Sequence, residues 1–209
     1  ADCTDGFGAA YSAWKQLGNR AEYHACKHGT KPPDVKGKNV VILDFSFDNA
    51  TTKKMISEAA GLLVIDHHKS AMVELHDITN THFDMTKSGA MLAWEWFHPG
   101  KEPPKFIKYI QDRDLWKWEL EYSKEFSAAF DMVPFEFEEF EKFEDDSVFD
   151  LIASAVKLAP VTSVAAEAET INVIVPASEP SSPDRDVCAA NTVFTPPFPS
   201  TKLLEPDIN

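Results

Sequence analysis

The chain has 209 residues, 44% of them apolar, which suffices for one domain with a sizeable core or for a smaller domain and a tail. Its formal net charge of -14 argues against a broad basic surface that grips long duplex nucleic acid, but it allows a small anionic substrate held through metal ions. Three irregularly spaced cysteines and no apolar run of bilayer length favour a reducing, cytoplasmic setting without a disulfide framework or a membrane segment.

The first elements follow one another closely. Residues 7–17 place apolar side chains at helical spacing and end at Gly18, so a helix begins almost at once. In a wound α/β fold a strand precedes such a helix, and we therefore expect the chain to begin just after its own first strand. Residues 21–25 are compatible with a short strand.

A β-α-β unit comes next. Residues 39–45 and 62–65 are the two candidate strands, and their cores, 40–43 and 62–65, are apolar and mostly β-branched or leucine, as is typical of buried strands. Between them, residues 52–60 have a helical pattern that Asn49 or Thr51 can cap. Such a crossover predicts neighbouring parallel strands.

The elements that follow are mostly helical. Residues 73–83 are ambiguous, with a short strand ending near Phe83 as one interpretation. The patterns of 87–97, 103–118 and 123–132 each predict a helix with one apolar face.

A strongly acidic segment spans residues 134–150, and Phe137, Phe140 and Phe143 recur in it every three positions. We interpret it as an acidic helix that packs a phenylalanine stripe on the core, and an acidic interaction module is the alternative. Beyond it, the serine, threonine and proline content of residues 151–209 predicts a weakly ordered tail.

The sequence thus predicts an α/β fold, a Rossmann-like wound domain in which helices flank a mainly parallel sheet. This domain is expected to span residues 1–150 and the tail residues 151–209.

Acids and histidines follow both predicted parallel strands. Asp44 comes directly after the first, and Asp66, His67 and His68 end the second. The carboxyl ends of parallel strands share one edge of a sheet, where ligands bind in open α/β folds. Carboxylates and imidazoles there can ligate divalent metals or transfer protons, although a polar turn or a helix cap would also explain each residue.

Two further acidic pieces complete the set. Asp5 precedes Gly6 at the first helix, and Asp112 and Asp114 flank an arginine on a later one. A simple turn and an exposed ion pair are the alternatives. Two divalent ions held close together need several carboxylates and a few imidazoles, which the ordered set supplies.

These motifs resemble those of the DHH phosphoesterases, a family that includes RecJ-like exonucleases, nanoRNases, exopolyphosphatases and manganese pyrophosphatases. The nearest likeness is to a branch with a Cys-x-Asp-Gly-Phe first motif. The matching segments, in order, read CTDGFGAA, VVILDFSFD, VIDHHKSA, KSGAMLAWEWF and YIQDRDLW.

The resemblance implies a set of metal ligands. Asp5 and Asp44 would be ligands, with Asp44 as the bridge between two ions, and His67 would be a third. Asp112 would complete one metal, and Asp114 competes with it for that place.

The resemblance also implies catalytic roles around the metals. His68 would approach the substrate as a general acid, and Asp66 would orient an imidazole or order the loop. Apart from the resemblance, the chemistry of the side chains suggests two substrate contacts. Lys69 could hold a phosphate as a point charge, or be merely solvated. Trp116 and Trp118 could stack on a base, although tryptophans in an amphipathic helix more commonly lie in the core.

The function expected from the resemblance is hydrolysis of a phosphodiester or phosphoanhydride bond by water activated between two Mn²⁺ or Mg²⁺ ions. The substrate would be a short oligonucleotide, a nucleotide or a polyphosphate, without a membrane or long duplex partner. A catalytically inactive module that binds a nucleotide or a protein is the alternative, and the oligomeric state stays open.

Overall fold

The computed structural model describes residues 3–158 and 189–194. Along the chain, the elements are α1 (Thr4–Leu17), β1 (Ala21–Cys26), β2 (Asn39–Leu43), α2 (Asn49–Glu58), β3 (Gly61–Asp66), α3 (Lys69–Glu74), β4 (Thr81–Phe83), α4 (Gly89–Phe97), α5 (Lys105–Asp114), α6 (Ser123–Phe130), α7 (Phe137–Glu141), α8 (Ser147–Leu158) and β5 (Ala189–Phe194). Short 3₁₀ turns at Gly18–Arg20 and Lys142–Glu144 extend α1 and α7.

The sheet has the strand order β1-β5-β2-β3-β4. Strands β2, β3 and β4 are parallel, which confirms the α/β fold with a parallel sheet flanked by helices. Strand β5 lies antiparallel between β1 and β2, and this pairing was not predicted. Residues of the predicted tail therefore contribute a strand to the interior of the sheet.

Alternation along β2 and β3 divides the core between the two faces of the sheet. Val40, Ile42, Leu62 and Val64 pack on one face, in a cluster that includes Met55 of α2. The intervening residues turn to the other face, where α1 and α4 cover them. These residues are Val41, Leu43, Leu63 and Ile65. Because both faces are covered, the two strands read as unbroken apolar runs.

An aromatic cluster holds the helices after α4 against α1. Phe140 is fully buried, and its ring centroid lies 4.6 Å from that of Phe7. Phe137 stacks on Trp14 with a centroid distance of 5.1 Å. The interpretation of the acidic segment as a phenylalanine stripe on the core is thereby confirmed.

Several element ends differ from the predictions. Asp48 caps α2, since its Oδ1 accepts from the Thr51 amide at 2.8 Å, so neither predicted cap holds. The ambiguous stretch 73–83 contains the end of α3 and then β4. Helix α5 ends at Asp114, four residues before the predicted end, because the amides of Lys117 and Trp118 turn back to the Asp112 carbonyl oxygen.

The predicted tail is described only in part. Helix α8 crosses residue 150, and β5 is a strand within the predicted tail. The remainder of the prediction for 151–209 lies outside the described residues. Within the part of the chain that the structure describes, none of the helices combines the length and apolarity that crossing a bilayer requires.

Candidate metal centre

Asp44 occupies an unusual backbone position at the carboxyl end of β2. Its φ is 53°, in the left-handed region that residues other than glycine seldom adopt, and its amide donates to the Ile65 carbonyl oxygen at 2.9 Å. The turn places Asp44 beside Asp66, the last residue of β3. Strained backbone of this kind is found preferentially at functional sites.

The Asp44 side chain is buried without a full set of partners. It is 1% exposed, and among the described residues its Oδ1 accepts no hydrogen bond. Burial, followed by the negative charge of Asp5, raises the pKa of Asp44 well above its usual value. A buried carboxylate oxygen in this state needs either a proton or a cation.

Asp66 organises the loop that follows β3. Its Oδ1 accepts from the amides of His67 and His68, at 2.7 and 3.2 Å, and contacts His68 Nδ1 at 2.6 Å. Its Oδ2 accepts from Ser46 Oγ at 2.7 Å. Burial alone would raise the pKa of Asp66, but the hydrogen bonds from His68 and Ser46 hold it below its usual value. The same Asp66 contact raises the pKa of His68.

His67 lies at the centre of the cluster. Its Nε2 is 3.2 Å from Asp44 Oδ1, 3.6 Å from Asp114 Oδ2 and 3.7 Å from Asp5 Oδ2. Burial lowers the pKa of His67, which favours the neutral ring that ligates metals. One imidazole nitrogen therefore faces three carboxylates from three different elements.

Asp5 is held by the first turn of α4. Its two oxygens accept from the amides of Gly89 and Ala90, at 2.7 and 2.9 Å, where the helix N-terminus favours negative charge. Gly89 also permits the close approach of β2, because a Cβ at this position would lie 2.4 Å from Asp44 Cβ. Helix α4 thus holds Asp5 by hydrogen bonds, and through Gly89 it leaves room for Asp44.

Asp112, predicted as a metal ligand, and its competitor Asp114 have different surroundings, and Asp114 is the one that belongs to a group of potential ligand atoms. The Asp112 carboxylate accepts from Glu119 N, Leu120 N and Ser123 Oγ, at 2.9, 3.3 and 2.5 Å, and is thereby occupied in holding the loop after α5. Asp114 instead faces His67. Burial and the nearby charge of Asp5 raise the pKa of Asp114 to about 8.

Two overlapping groups of side chains satisfy the distance requirement for a metal site, and they share His67. Within each group, potential ligand atoms lie within 4.8 Å of one another. One consists of Asp44, Asp66, His67 and His68, and the other of Asp5, His67 and Asp114. Mixed carboxylate and imidazole donors suit Mn²⁺ and related divalent ions, and the unpartnered Asp44 Oδ1 is an acceptor that a cation would satisfy.

The cluster forms one wall of an open cleft of about 350 Å³. Its lining comprises Cys3, Thr4, Asp44, His67, His68, Ile110, Arg113, Asp114, Trp116 and Asp131. Lys69, predicted to bind phosphate, is exposed at the start of α3 and does not belong to this lining. Arg113 is the one lysine or arginine among the described residues that line the cleft.

Several residues of the site were not predicted from the sequence. Ser46 contributes a hydroxyl to Asp66, and Gly89 leaves room for Asp44 because it has no side chain. Arg113 contributes a positive charge to the cleft. None of these residues has a fixed spacing along the chain from the acids of the cluster. The Ser88-Gly89 pair offered a signal, because Ser88 caps α4 by accepting from the Met91 amide. Asp5, Asp44, Asp66, His67 and His68 all lie together as the strand-end argument required.

The chain is similar to an uncharacterized protein of Acanthamoeba polyphaga mimivirus, with 32% identity over 166 residues. The aligned region covers 71% of this chain and 39% of the viral protein, so the chain spans about two fifths of that relative. No protein-family model matches the chain, and no solved structure matches it. Any functional conclusion therefore depends on the site itself.

Proposed function

We propose that the chain is a divalent-metal-dependent phosphohydrolase related to the DHH phosphoesterases. The observation that carries the proposal is the convergence of Asp5, Asp44 and Asp114 on His67 Nε2, with a buried Asp44 oxygen that accepts no hydrogen bond from the described residues. Asp5 and Asp44 are both buried, and buried acids that repel one another are costly unless cations neutralise them. A site built for cations at an open cleft is suited to an anionic substrate.

In this proposal, Asp5, Asp44, His67 and Asp114 hold the metal, with Asp66 and His68 beside them. Bound divalent ions would lower the pKa of a water nucleophile and neutralise phosphoryl oxygens. In the two-ion arrangement that the resemblance implies, Asp44 would be the shared ligand, and these four residues would be the ligands that the chain provides.

The residues of the chain provide proton transfer and substrate contacts. His68 engages Asp66 through Nδ1, which leaves Nε2 as the ring nitrogen that can donate a proton to a leaving oxygen. Asp66 positions that ring, and Arg113, which lines the same cleft, contacts a phosphate. The phosphodiester or phosphoanhydride bond would be cleaved at the cluster.

The test combines metal binding with turnover. Isothermal titration of Mn²⁺ into the chain should show binding that Asp44→Asn weakens at least ten-fold, because the variant lacks a buried anionic ligand. A panel of pyrophosphate, tripolyphosphate and a short dinucleotide should contain a substrate cleaved only with Mn²⁺ or Mg²⁺. Asp77→Asn is the matched control, since Asp77 is a surface carboxylate paired with Lys53 and should leave both measurements unchanged.

Absence of Mn²⁺ binding by the unmodified chain would overturn the proposal. Binding of Mn²⁺ and of a panel compound without any cleavage would favour the second candidate, an inactive module that binds a nucleotide through the same cleft. The specific support for that candidate is the low cation content of the cleft, where Arg113 is the one lysine or arginine among the described lining residues.

A further inference from the structure

One aromatic side chain of the cleft, Trp116, has no role in the proposed metal site. Trp116 lines the cleft together with Arg113 and Asp114, and Trp116 is 72% exposed to solvent. Tryptophan seldom presents this much apolar surface to water without a contact to make. The exposed ring therefore marks a place where a ligand would cover it.

Trp116 is held in place by its backbone. Its amide donates to the Arg113 carbonyl oxygen at 2.9 Å, and the next amide, of Lys117, donates to Asp112 at 2.9 Å. The φ of Trp116 is 56° and that of Trp118 is 55°, a left-handed conformation that bulky residues rarely adopt. The loop thus holds Trp116 in a strained and exposed position, and Asp112 anchors the residues that follow it.

Trp118 supports the exposed ring. The two indoles meet edge to face, with centroids 5.3 Å apart and an interplanar angle of 76°. Trp118 is itself only partly exposed and lies beside Lys124, whose Nζ is 5.8 Å from its ring centroid. The pair leaves most of Trp116 free for contact while limiting its rotation.

The C-terminal end of α5 therefore presents three chemistries to one cleft. Asp114 belongs to the metal-ligand cluster, Arg113 offers guanidinium donors beyond those used by Asp131, and Trp116 offers an aromatic face. A ligand that joins a negatively charged phosphate to a planar ring would match these three groups. Its phosphate would meet the metal cluster and Arg113, and its ring would meet Trp116. A polyphosphate would leave the tryptophan uncovered and would find Arg113 alone among lysines and arginines of the described lining.

We propose that Trp116 is a base-stacking subsite and that the substrate is a nucleotide-bearing phosphoester with an unpaired base. This inference rests on the proposed phosphohydrolase function, since the acidic cluster is what would place the phosphate. A base must be free of its duplex to stack on a protein ring, so a single-stranded end or a small nucleotide is the matching substrate. Stacking tolerates any base, and Trp116 sets the substrate class without selecting a sequence.

The experiment compares AMP with ribose 5-phosphate, which carries the same sugar phosphate without a base. Calorimetry in MgCl₂ should show that the chain binds AMP roughly ten-fold or more tightly. Trp116→Ala should remove this preference and leave the affinity for ribose 5-phosphate unchanged, whereas Trp116→Phe should retain most of it. Val73→Ala, which alters a 62% exposed apolar side chain outside the cleft lining, is the control.

Equal binding of the two ligands by the unmodified chain, or binding of neither, overturns the stacking subsite. So does an equal loss for both ligands in Trp116→Ala. These outcomes are separate from failure of the proposed function, which is measured by Mn²⁺ binding and by cleavage of the panel compounds. Metal-dependent cleavage of pyrophosphate with no base preference would leave the phosphohydrolase standing and remove the nucleotide.

Discussion

Asp112 and Asp114 lie two positions apart on α5, yet only one of them faces the cluster. The side chain of Asp112 is turned toward the loop that ends α5, and that of Asp114 toward His67. Positions separated by two residues lie on different faces of a helix, so their roles cannot be exchanged. Substitutions of Asp112 and of Asp114 should therefore have different effects.

Asp112→Asn should destabilise the chain by about 1–3 kcal/mol, because an amide nitrogen would face donors that now reach a carboxylate. Asp114→Asn should leave the free energy of unfolding of the metal-free chain unchanged or slightly increased, since burial and Asp5 oppose the ionised Asp114. Urea unfolding measures the first effect, and Mn²⁺ calorimetry should show weaker binding for Asp114→Asn alone. Loss of Mn²⁺ binding in a folded Asp112→Asn protein, with normal binding in Asp114→Asn, would restore Asp112 as the ligand.

A substitution at Gly89 tests the tight packing between α4 and Asp44 at the end of β2. Gly89→Ala would place a methyl group 2.4 Å from Asp44 Cβ, so α4 or the β2 turn must shift. We expect a loss of about 1–3 kcal/mol in unfolding free energy, together with weaker Mn²⁺ binding.

Gly61→Ala is the matched control for that prediction. Its new methyl group would meet only Asn39 Oδ1, at 2.9 Å, and this atom is the end of a side chain that can rotate away. Both measurements should stay close to those of the unmodified chain. A Gly89→Ala protein that is as stable as Gly61→Ala and binds Mn²⁺ normally would contradict the packing argument.

At the scale of elements, the acidic segment 134–150 packs its phenylalanines into the core. Most of its charged residues are exposed, although Glu144 accepts from the Tyr11 hydroxyl, while Phe140 reaches an aromatic cluster that joins α1, α5 and α6. This helix buries one side because a period of three or four residues keeps its phenylalanines on one face. The negative charge of the segment consequently does not require an acidic partner-binding role.

Phe140→Ala should cost about 3–5 kcal/mol of unfolding free energy, as expected for removal of a fully buried phenylalanine ring. Chemical denaturation checks this value. Met132→Ala is the control, since Met132 is 84% exposed and its truncation should change stability by less than about 0.5 kcal/mol. A Phe140→Ala chain as stable as the control would mean that the acidic segment does not hold the fold.

At the scale of the whole molecule, the last described strand, β5, pairs with two strands from the first quarter of the sequence. Thr192 of β5 pairs with Tyr23 of β1 and with Val41 of β2. Removing residues 134–209 would take Phe140 from the core and β5 from between two strands. A truncation of that kind therefore tests the fold more than it tests any separate function of the acidic segment.

Thr192→Pro should destabilise the chain by about 3 kcal/mol or more, because proline removes a ladder donor and does not fit an interior strand. Thr192→Val, which keeps the backbone N–H and the β-branched shape, is the control and should remain folded. Thermal unfolding followed by circular dichroism compares the two. Equal stability of the proline and valine variants would show that β5 contributes little to the sheet.

The local pattern of the sequence determined the class of fold and most of the site. Apolar runs ending in Asp44 and in Asp66-His67-His68 were sufficient, because parallel neighbours must bring such ends to one edge. The phenylalanine period likewise specified which face of the acidic helix is buried. These features depend on spacing within short segments, and spacing is what a sequence displays directly.

Tertiary structure alone decided which groups meet across distant segments. The turn of Asp112 away from the cluster, the opening left by Gly89, the arrival of Arg113 and exposed Trp116 at the cleft, and the antiparallel insertion of β5 all depend on how separate elements pack. Such contacts follow from loop geometry and the relative placement of helices, which no periodicity along the chain encodes. The acids could be predicted, whereas the choice between Asp112 and Asp114 required the fold.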